Sequence, residues 1–331
     1  KIQRLPVEPI SQASANQRKG RCGRIAEGVC IRLYDEEDFL ARPEFTDPEI
    51  QRTNLASVIL SMLSLKLGSI EEFPFVDPPD SRFVTDGFKL LFELGAVDQA
   101  QRLTAVGRKL AHLPIDPRLA RMVLAGAEQG GLREVLIVVA GLAVQDPRER
   151  PAEKRQAADQ AHRRWQDPES DFLALLNLWH GFEAAREALS GNQLRRWCKE
   201  RYINYLRMRE WHDTFRQLRQ LLRDMQIEVP PPSPLPVTEE GEPTEAAREA
   251  RRQSGVALHR ALLPGLLSHL GLLTENREYL GARNRKFVIH PGSGLAKKNP
   301  KWLMAFELVE TSRLFARSVA RIDPRWIEPV A

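Results

Sequence analysis

Cysteine is scarce in this 331-residue chain: Cys22, Cys30 and Cys198 are the whole complement, and no two form a CxxC pair. That excludes a disulfide framework and a thiolate zinc site, and it fits reduced thiols in a cytoplasm. No apolar run approaches the roughly 18–20 residues needed to cross a bilayer, so no membrane partner is expected. The opening residues show no secretory h-region. No GxxxxGK[ST] string occurs either, so the commonest backbone cradle for a triphosphate is lacking from this sequence.

What is present is an ordinary globular composition, 42% hydrophobic and 28% charged, in a length that suits two or three domains. Net charge is +5, and its distribution says more than its size. Residues 1–34 hold seven basic and two acidic side chains, Arg195–Arg223 nine against three, and Arg277–Lys301 seven against one. Three separated basic stretches suit a chain that follows a nucleic-acid backbone across several domains; solvated helix faces are the plainer reading of any one of them.

Hydrophobic periodicity divides the chain. Lys1–Val7 reads as an extended edge, Ser11–Gly20 as polar and helix-capable, and Val29–Leu33 alternates like a strand. A piece of this length cannot bury a core, so residues 1–34 are expected to pack irregularly. An acidic connector follows at 35–48. Glu49–Leu67 and Ser81–Leu94 read as helices, Val97–Leu103 as a short hairpin and Thr104–Leu110 as a helix, the outline of a winged helix over 49–112. Residues 113–227 read as a helical bundle, with helices at Leu119–Gln129, Leu132–Val144, Phe172–Ala188 and Gln193–Met225. Trp197, Trp211 and Phe215 read as core. Residues 228–253 are rich in proline and glutamate and are expected to be a disordered linker. From 254 onward, Val256–Leu267 reads as a helix. Tyr279–Leu280, Phe287–His290, Leu303–Glu310 and Leu314–Ile322 read as strands of a small barrel, for which an OB-fold is the natural candidate.

The most specific string is Gln17-Arg18-Lys19-Gly20-Arg21-Cys22-Gly23-Arg24. Arg21 and Arg24 are three apart, so a helical turn would present both guanidiniums on one face, each a fork of donors suited to phosphate oxygens. Gly20 and Gly23 leave room for a neighbouring surface. A generic basic cluster touching RNA phosphates is the competing reading.

This string matches QRxGRxGR, and residues 12–34 resemble the end of the second RecA-like domain of bacterial DEAH-box RNA helicases. The resemblance continues through Phe45–Ile50, Arg52–Leu55, Leu113–Arg118, Val144–Arg148, His290–Ser293, Glu307–Ser312 and Ile322–Trp326, so it covers nearly the whole chain. It implies a multidomain, mostly α chain with a small β-barrel: a RecA-like remnant at 1–34, a connector, a winged helix, a ratchet-like bundle and an OB-fold. It also implies that Gln17, Arg21 and Arg24 complete an ATP site, the two arginines acting as arginine fingers on the γ-phosphate. Neither a phosphate loop nor a DEAH or DExH string occurs here, so the groups that hold ATP and Mg²⁺ are expected on a preceding segment of an ATP-dependent RNA helicase parent. This chain alone is expected to bind no ATP, Mg²⁺ or other metal and to be inactive.

Single-stranded RNA is the implied partner, with the OB-fold touching the strand or a regulatory protein. The candidate RNA contacts are Arg283, Arg285, Lys286, Lys297 and Lys298 in the OB region, and Arg195, Arg196 and Arg207 in the bundle. The run Gly292–Lys298 superficially suggests a phosphate loop, but its glycine–lysine spacing points to a loop that touches RNA. The alternative is a winged-helix/OB module that binds nucleic acid or protein without any enzymatic role.

Overall fold

The structure, a computed structural model, describes residues 2–4, 9–51, 55–232 and 245–330. It opens with a short strand, β1 (Ile2–Arg4), and a helix, α1 (Gln12–Arg21). The Ser11 hydroxyl caps α1 by accepting the Ser14 N–H at 3.2 Å. The next open donors, Gln12 and Ala13 N–H, are taken by the carbonyls of Pro43 and Glu44 at 3.0 and 2.9 Å. Helix α1 is thereby docked on the connector, which forms its own short helix, α2 (Glu36–Ala41). Residues 22–34 form neither helix nor strand, and Val29, Ile31 and Leu33 are 87%, 80% and 96% exposed. The expected strand at Val29–Leu33 is therefore absent, because alternation makes a strand only where a sheet edge receives it. In the expected edge Lys1–Val7, Ile2–Arg4 is extended and joins the C-terminal barrel; residues 1 and 5–7 lie outside the described set.

Helix α3 spans Ala56–Leu65, shorter than the expected Glu49–Leu67; a single 3-10 turn covers Glu49–Gln51, and residues 52–54 lie outside the described residues. Its Ala56, Ile59, Leu60 and Met62 are buried against Val84 and Leu91 of α4 (Ser81–Glu93). The hairpin is reduced to one bridge, Val97 with Leu103, and Thr104 then caps α5 (Ala105–Ala111) by accepting the Gly107 N–H at 2.9 Å.

Asp116 caps and Pro117 opens α6 (Pro117–Gln129), a pairing that suits a helix start because proline has no N–H to leave unsatisfied. Gly130 and Gly131, both at positive φ, turn the chain into α7 (Leu132–Ala143). These two helices are the centre of the bundle. Around them lie α8 (Arg155–His162), α9 (Asp171–Ala188), α10 (Gly191–Glu200) and α11 (Tyr205–Asp224). The single helix expected over Gln193–Met225 is thus two. It breaks where Tyr202 takes a positive φ and Asn204 caps α11 by accepting the Arg207 N–H at 3.1 Å. Trp211 is fully buried, donates its indole N–H to Ile137 O at 2.8 Å and packs on Trp179 at 5.3 Å, as a core residue should.

Helix α12 (Glu245–Leu262) packs against α6 and α7. Its first turns occupy 245–253, which corrects the expected linker: Glu-Ala-Ala-Arg-Glu-Ala-Arg-Arg is rich in strong helix formers. Residues 233–244 lie outside the described set.

The C-terminal strands are β2 (Leu270–Leu273), β3 (Tyr279–Gly281), β4 (Lys286–Ile289), β5 (Trp302–Glu310) and β6 (Leu314–Arg321). Neighbours run β5-β2-β3-β4-β6 and return to β5, closing a barrel in which only the β4–β6 pairing is parallel. This is OB topology. Tyr279, Phe287, Leu303, Ala305, Leu308 and Val319 fill it. Gly271 belongs under the Phe287 ring, where a Cβ would sit 2.5 Å from the ring edge. Strand β1 adds to the outer edge of β5 in parallel, Ile2 opposite Leu308 and Arg4 opposite Glu310.

Candidate nucleic-acid interface

The segment Val144–Arg148 and the loop His290–Ser293 are far apart in sequence, yet the fold brings them to one junction. Residues 146–150 lace onto the break between α10 and α11. Glu149 N–H donates to Tyr202 O and Asn204 N–H to Pro147 O, both at 2.8 Å, and the Asn204 amide reaches the Glu149 carboxylate at 2.8 Å. Arg148 grips Asp146 through Nε and Nη2, the closest contact 2.7 Å. Burial opposes the charge on Asp146, but the adjacent Arg148 guanidinium more than offsets it and holds the carboxyl below its ordinary range.

From the barrel, the loop 290–298 descends onto this segment. A Cβ on Gly292 would lie 3.9 Å from an Arg150 guanidinium nitrogen, and one on Gly294 would lie 2.4 Å from Asp167 O, so only glycine fits there. The Asp171 carboxylate, in the first turn of α9, accepts Gly294 N–H at 3.2 Å on one oxygen and β6's Val319 N–H at 3.0 Å on the other. Burial raises its pKa, while those two N–H groups, the Ser293 hydroxyl and Arg148 act the other way. Leu295 is 1% exposed inside the barrel core, which pins the loop from its other side. Lys297 and Lys298 are left exposed.

His290 is shifted below its ordinary pKa by burial first, then by the positive charges of Arg317 and Arg150. The bundle thus brings Arg150, with Arg148 nearby in the same segment, to the barrel's His290 and Arg317; Lys297 and Lys298 lie further along the loop that His290 opens. Arg150 is held bidentate by Asp159 at 2.7 Å, which fixes its guanidinium plane and leaves it 46% exposed. Sequence reasoning missed Arg148, Arg150, His290 and Arg317 as site residues, although Val144–Arg148 and His290–Ser293 had been singled out as stretches. A stretch cannot reveal which other stretch it faces.

The other expected contacts divide. Arg283, Arg285 and Lys286 are exposed around the β3–β4 turn, at the start of β4, whereas loop 290–298 leaves its end. Four residues of strand, about 13 Å, separate the two groups, so they do not form one patch. Lys286 lies 3.9 Å from Glu278. Arg195 reaches Asn192 and lies over the Tyr205 ring, and Arg196 is paired with Glu200 at 2.8 Å on an exposed face. Arg207 is a structural residue: half-buried, it donates to Asp146 O at 3.0 Å and holds the 146–150 segment in place.

Gln17, Arg21 and Arg24 are all exposed. Gln17 and Arg21 lie in the second half of α1, but the helix ends at Arg21 and Arg24 sits in the bend beyond. The expected presentation of Arg21 and Arg24 on one helical turn is corrected accordingly. Arg18, Lys19 and Arg21 in the last turn also complement the helix dipole, which makes this end cation-rich for a local reason as well.

Among the described residues no helix is long and apolar enough to cross a membrane, and no cluster of three metal-ligating side chains occurs. Two concavities, of about 270 Å³ between α6 and α12 and about 420 Å³ on α11, are lined by none of the junction residues.

Three family models match this chain in order: the helicase-associated (HA2) winged helix over 88–115, the HA2 ratchet-like domain over 116–175, and the oligonucleotide/oligosaccharide-binding fold over 258–331. Along its entire length the chain is 57% identical to the ATP-dependent RNA helicase HrpA of Escherichia coli K12. Throughout its length the chain is similar to part of an HrpA-type RNA helicase. It is also 56% identical to the HrpA homolog of Haemophilus influenzae and 32% identical to the human probable ATP-dependent RNA helicase DHX35. It spans 24% of each bacterial relative and 44% of the human one. Within the HrpA-type frame, loop 290–298 is the barrel's contribution to the junction, and segment 146–150 is that of the ratchet-like domain.

Proposed function

We propose that this chain is the accessory and RNA-channel region of an ATP-dependent DEAH-box RNA helicase, gripping single-stranded RNA at the junction of ratchet-like bundle and barrel. The observation that carries this is the meeting of the bundle's Arg150 with the barrel's His290 and Arg317, at the start of the loop on which Lys297 and Lys298 are exposed. The similarity to proteins named as RNA helicases supplies the ligand class. Cations on two domains follow a sugar–phosphate backbone without reading bases, which suits a strand that must move.

On this reading Gln17, Arg21 and Arg24 face the nucleotide in the intact protein. Their donors fit phosphate oxygens; because they sit at a helix C-terminus, where backbone N–H groups do not point outward, the side chains alone would provide the contact. The two guanidiniums do not fit Mg²⁺, which takes oxygen ligands. ATP would be held mainly by groups elsewhere in the parent, with Arg21 and Arg24 stabilising charge on the transferred phosphoryl group. A cytoplasmic location and a regulatory protein on the barrel belong to the same reading.

Photo-crosslinking of a 4-thiouridine 12-mer, read by mass spectrometry, tests the RNA assignment. Crosslinks are expected in 146–150 and 290–298. Crosslinks confined to the β3–β4 turn or to α10 would overturn it.

A further inference from the structure

The loop that carries Lys297 and Lys298 has no secondary structure of its own to hold it, yet it is pinned at three points. Leu295 fills the barrel. Gly294 lies against the Asp167 carbonyl so closely that a Cβ would approach to 2.4 Å. The third point is Asp171, which belongs to the bundle but spends its carboxylate on the barrel, with one oxygen on Gly294 N–H at 3.2 Å and the other on Val319 N–H at 3.0 Å. The Ser293 hydroxyl bonds the same carboxylate, and Arg148 lies near enough to bias its charge.

The surrounding bonds extend the seam. Arg321 N–H donates to Glu169 O at 2.9 Å, Ser170 bridges Ala320, and Arg321 pairs with Glu169 at 3.0 Å. Those contacts hold β6 on the bundle. The start of the loop is tied to β6 where His290 N–H donates to Ala316 O at 2.9 Å; further along, it is the Asp171 carboxylate that spans Gly294 and β6. A half-buried carboxylate that accepts two backbone donors from another domain is a costly arrangement unless all its bonds are made. Its geometry fixes how the loop leaves the barrel, and so where the two lysines stand relative to Arg148 and Arg150.

We propose that Asp171 is a positioning residue for RNA: a carboxylate clamp that sets the Lys297/Lys298 loop in register with the bundle's arginines. The inference rests on the RNA reading above and goes beyond it by assigning the register to one residue that does not itself touch RNA.

The test uses the whole chain and a double-mutant cycle. Asp171→Asn keeps the shape but leaves one of the two N–H donors without an acceptor. Gly294→Ala displaces the same loop with Asp171 intact, and so serves if Asp171→Asn folds poorly. Each is measured by fluorescence anisotropy with a labelled single-stranded RNA 12-mer at two salt concentrations, alone and in a Lys297→Ala/Lys298→Ala background. Amide exchange at Gly294 and Val319 reports the clamp without RNA.

Asp171→Asn is expected to weaken binding about 3- to 10-fold and to flatten the log K against log[salt] slope by up to about 1.4, two phosphates' worth. It should have no further effect once both lysines are gone. Gly294→Ala should do the same, and exchange at both amides should rise in Asp171→Asn. Additive losses in the lysine-free background, or an unchanged salt slope, would mean that Asp171 only supports the fold, and would overturn the proposal while leaving the RNA reading intact. A wild-type chain that binds no RNA at any salt, with both amides still protected, would overturn the RNA reading and the proposal with it.

Discussion

Acidification should unfold this chain through two buried histidines. His259 and His269 are 6% and 4% exposed, and burial above all pushes each pKa down to about 4. At His259 the hydrogen-bonding geometry works in the same direction as burial. The Ser170 hydroxyl oxygen already accepts the N–H groups of Phe172 and Leu173, so its proton donates to His259 Nε2 at 2.7 Å. A protonated His259 would present an N–H to a group with no lone pair left. His269 Nδ1–H donates to Phe306 O at 3.0 Å, which favours the proton, but burial and the nearby Arg118 charge outweigh it.

In both cases the folded-state pKa lies below that of the unfolded chain, near 6.5. As pH falls below about 6.5 the unfolded state takes up protons that the folded state refuses, so stability present above that pH is lost towards pH 4. The gap between 6.5 and about 4 caps the loss at about 3.4 kcal/mol per histidine. At pH 5 it is about 2 kcal/mol each, a large share of a net stability of about 5–15 kcal/mol. Asp171, whose pKa burial raises, works with the opposite sign and relieves part of the loss. Urea unfolding at pH 7.5 and pH 5 measures the difference. His259→Gln retains an acceptor for Ser170 and should flatten the pH dependence by about 2 kcal/mol. A variant with the wild-type pH dependence would refute the argument.

Two further outcomes follow from the placement of the arginines. Arg207→Ala should cost stability, about 1–2 kcal/mol through the lost bond to Asp146 O, and should alter RNA affinity less than charge reversal at Lys297 and Lys298; the reverse order in melting and anisotropy would make Arg207 a direct contact. The chain alone should show no Mg²⁺-dependent ATP hydrolysis, and Arg24→Ala in the intact parent should lower kcat by about two to five orders of magnitude, which steady-state phosphate release would measure.

Much of the fold was legible because periodicity and capping agreed. Ala56–Leu65, Ser81–Glu93, Pro117–Gln129 and Asp171–Ala188 carry apolar stripes at helical spacing, and the last three begin at a capping Asp or Ser. The failures have particular causes. Asn204 is a legible cap, but Trp211 and Phe215 continue a stripe that runs across the break before it. Leu270–Leu273 is absent from the expected strands: Leu-Gly-Leu-Leu just past an apolar helix shows no alternation, and pairing with Leu280 and Leu303 makes it a strand. Val29–Leu33 shows the converse, alternation without a partner edge.

The site was legible in part. Lys297 and Lys298 stand out as exposed cations in a glycine-rich run, whereas Arg317 looks like any outward residue of a strand. Arg150 gains meaning only when Gly292 is seen against it. Asp171 offers no signal at all, since an acidic residue in a helix's first turn is what the dipole would select anyway.

The central claim, that the bundle–barrel junction grips single-stranded RNA through its backbone, is tested most directly by the salt dependence of binding. Anisotropy of a labelled 12-mer, measured across a fourfold change in salt, should show a slope near −0.7 per phosphate neutralised. Three phosphates would weaken binding about 20-fold and five about 130-fold. Charge reversal at Lys297 and Lys298 should flatten that slope by about 1.4, two phosphates' worth. Salt-independent binding, no binding at any salt, or a slope untouched by the reversal would contradict the account.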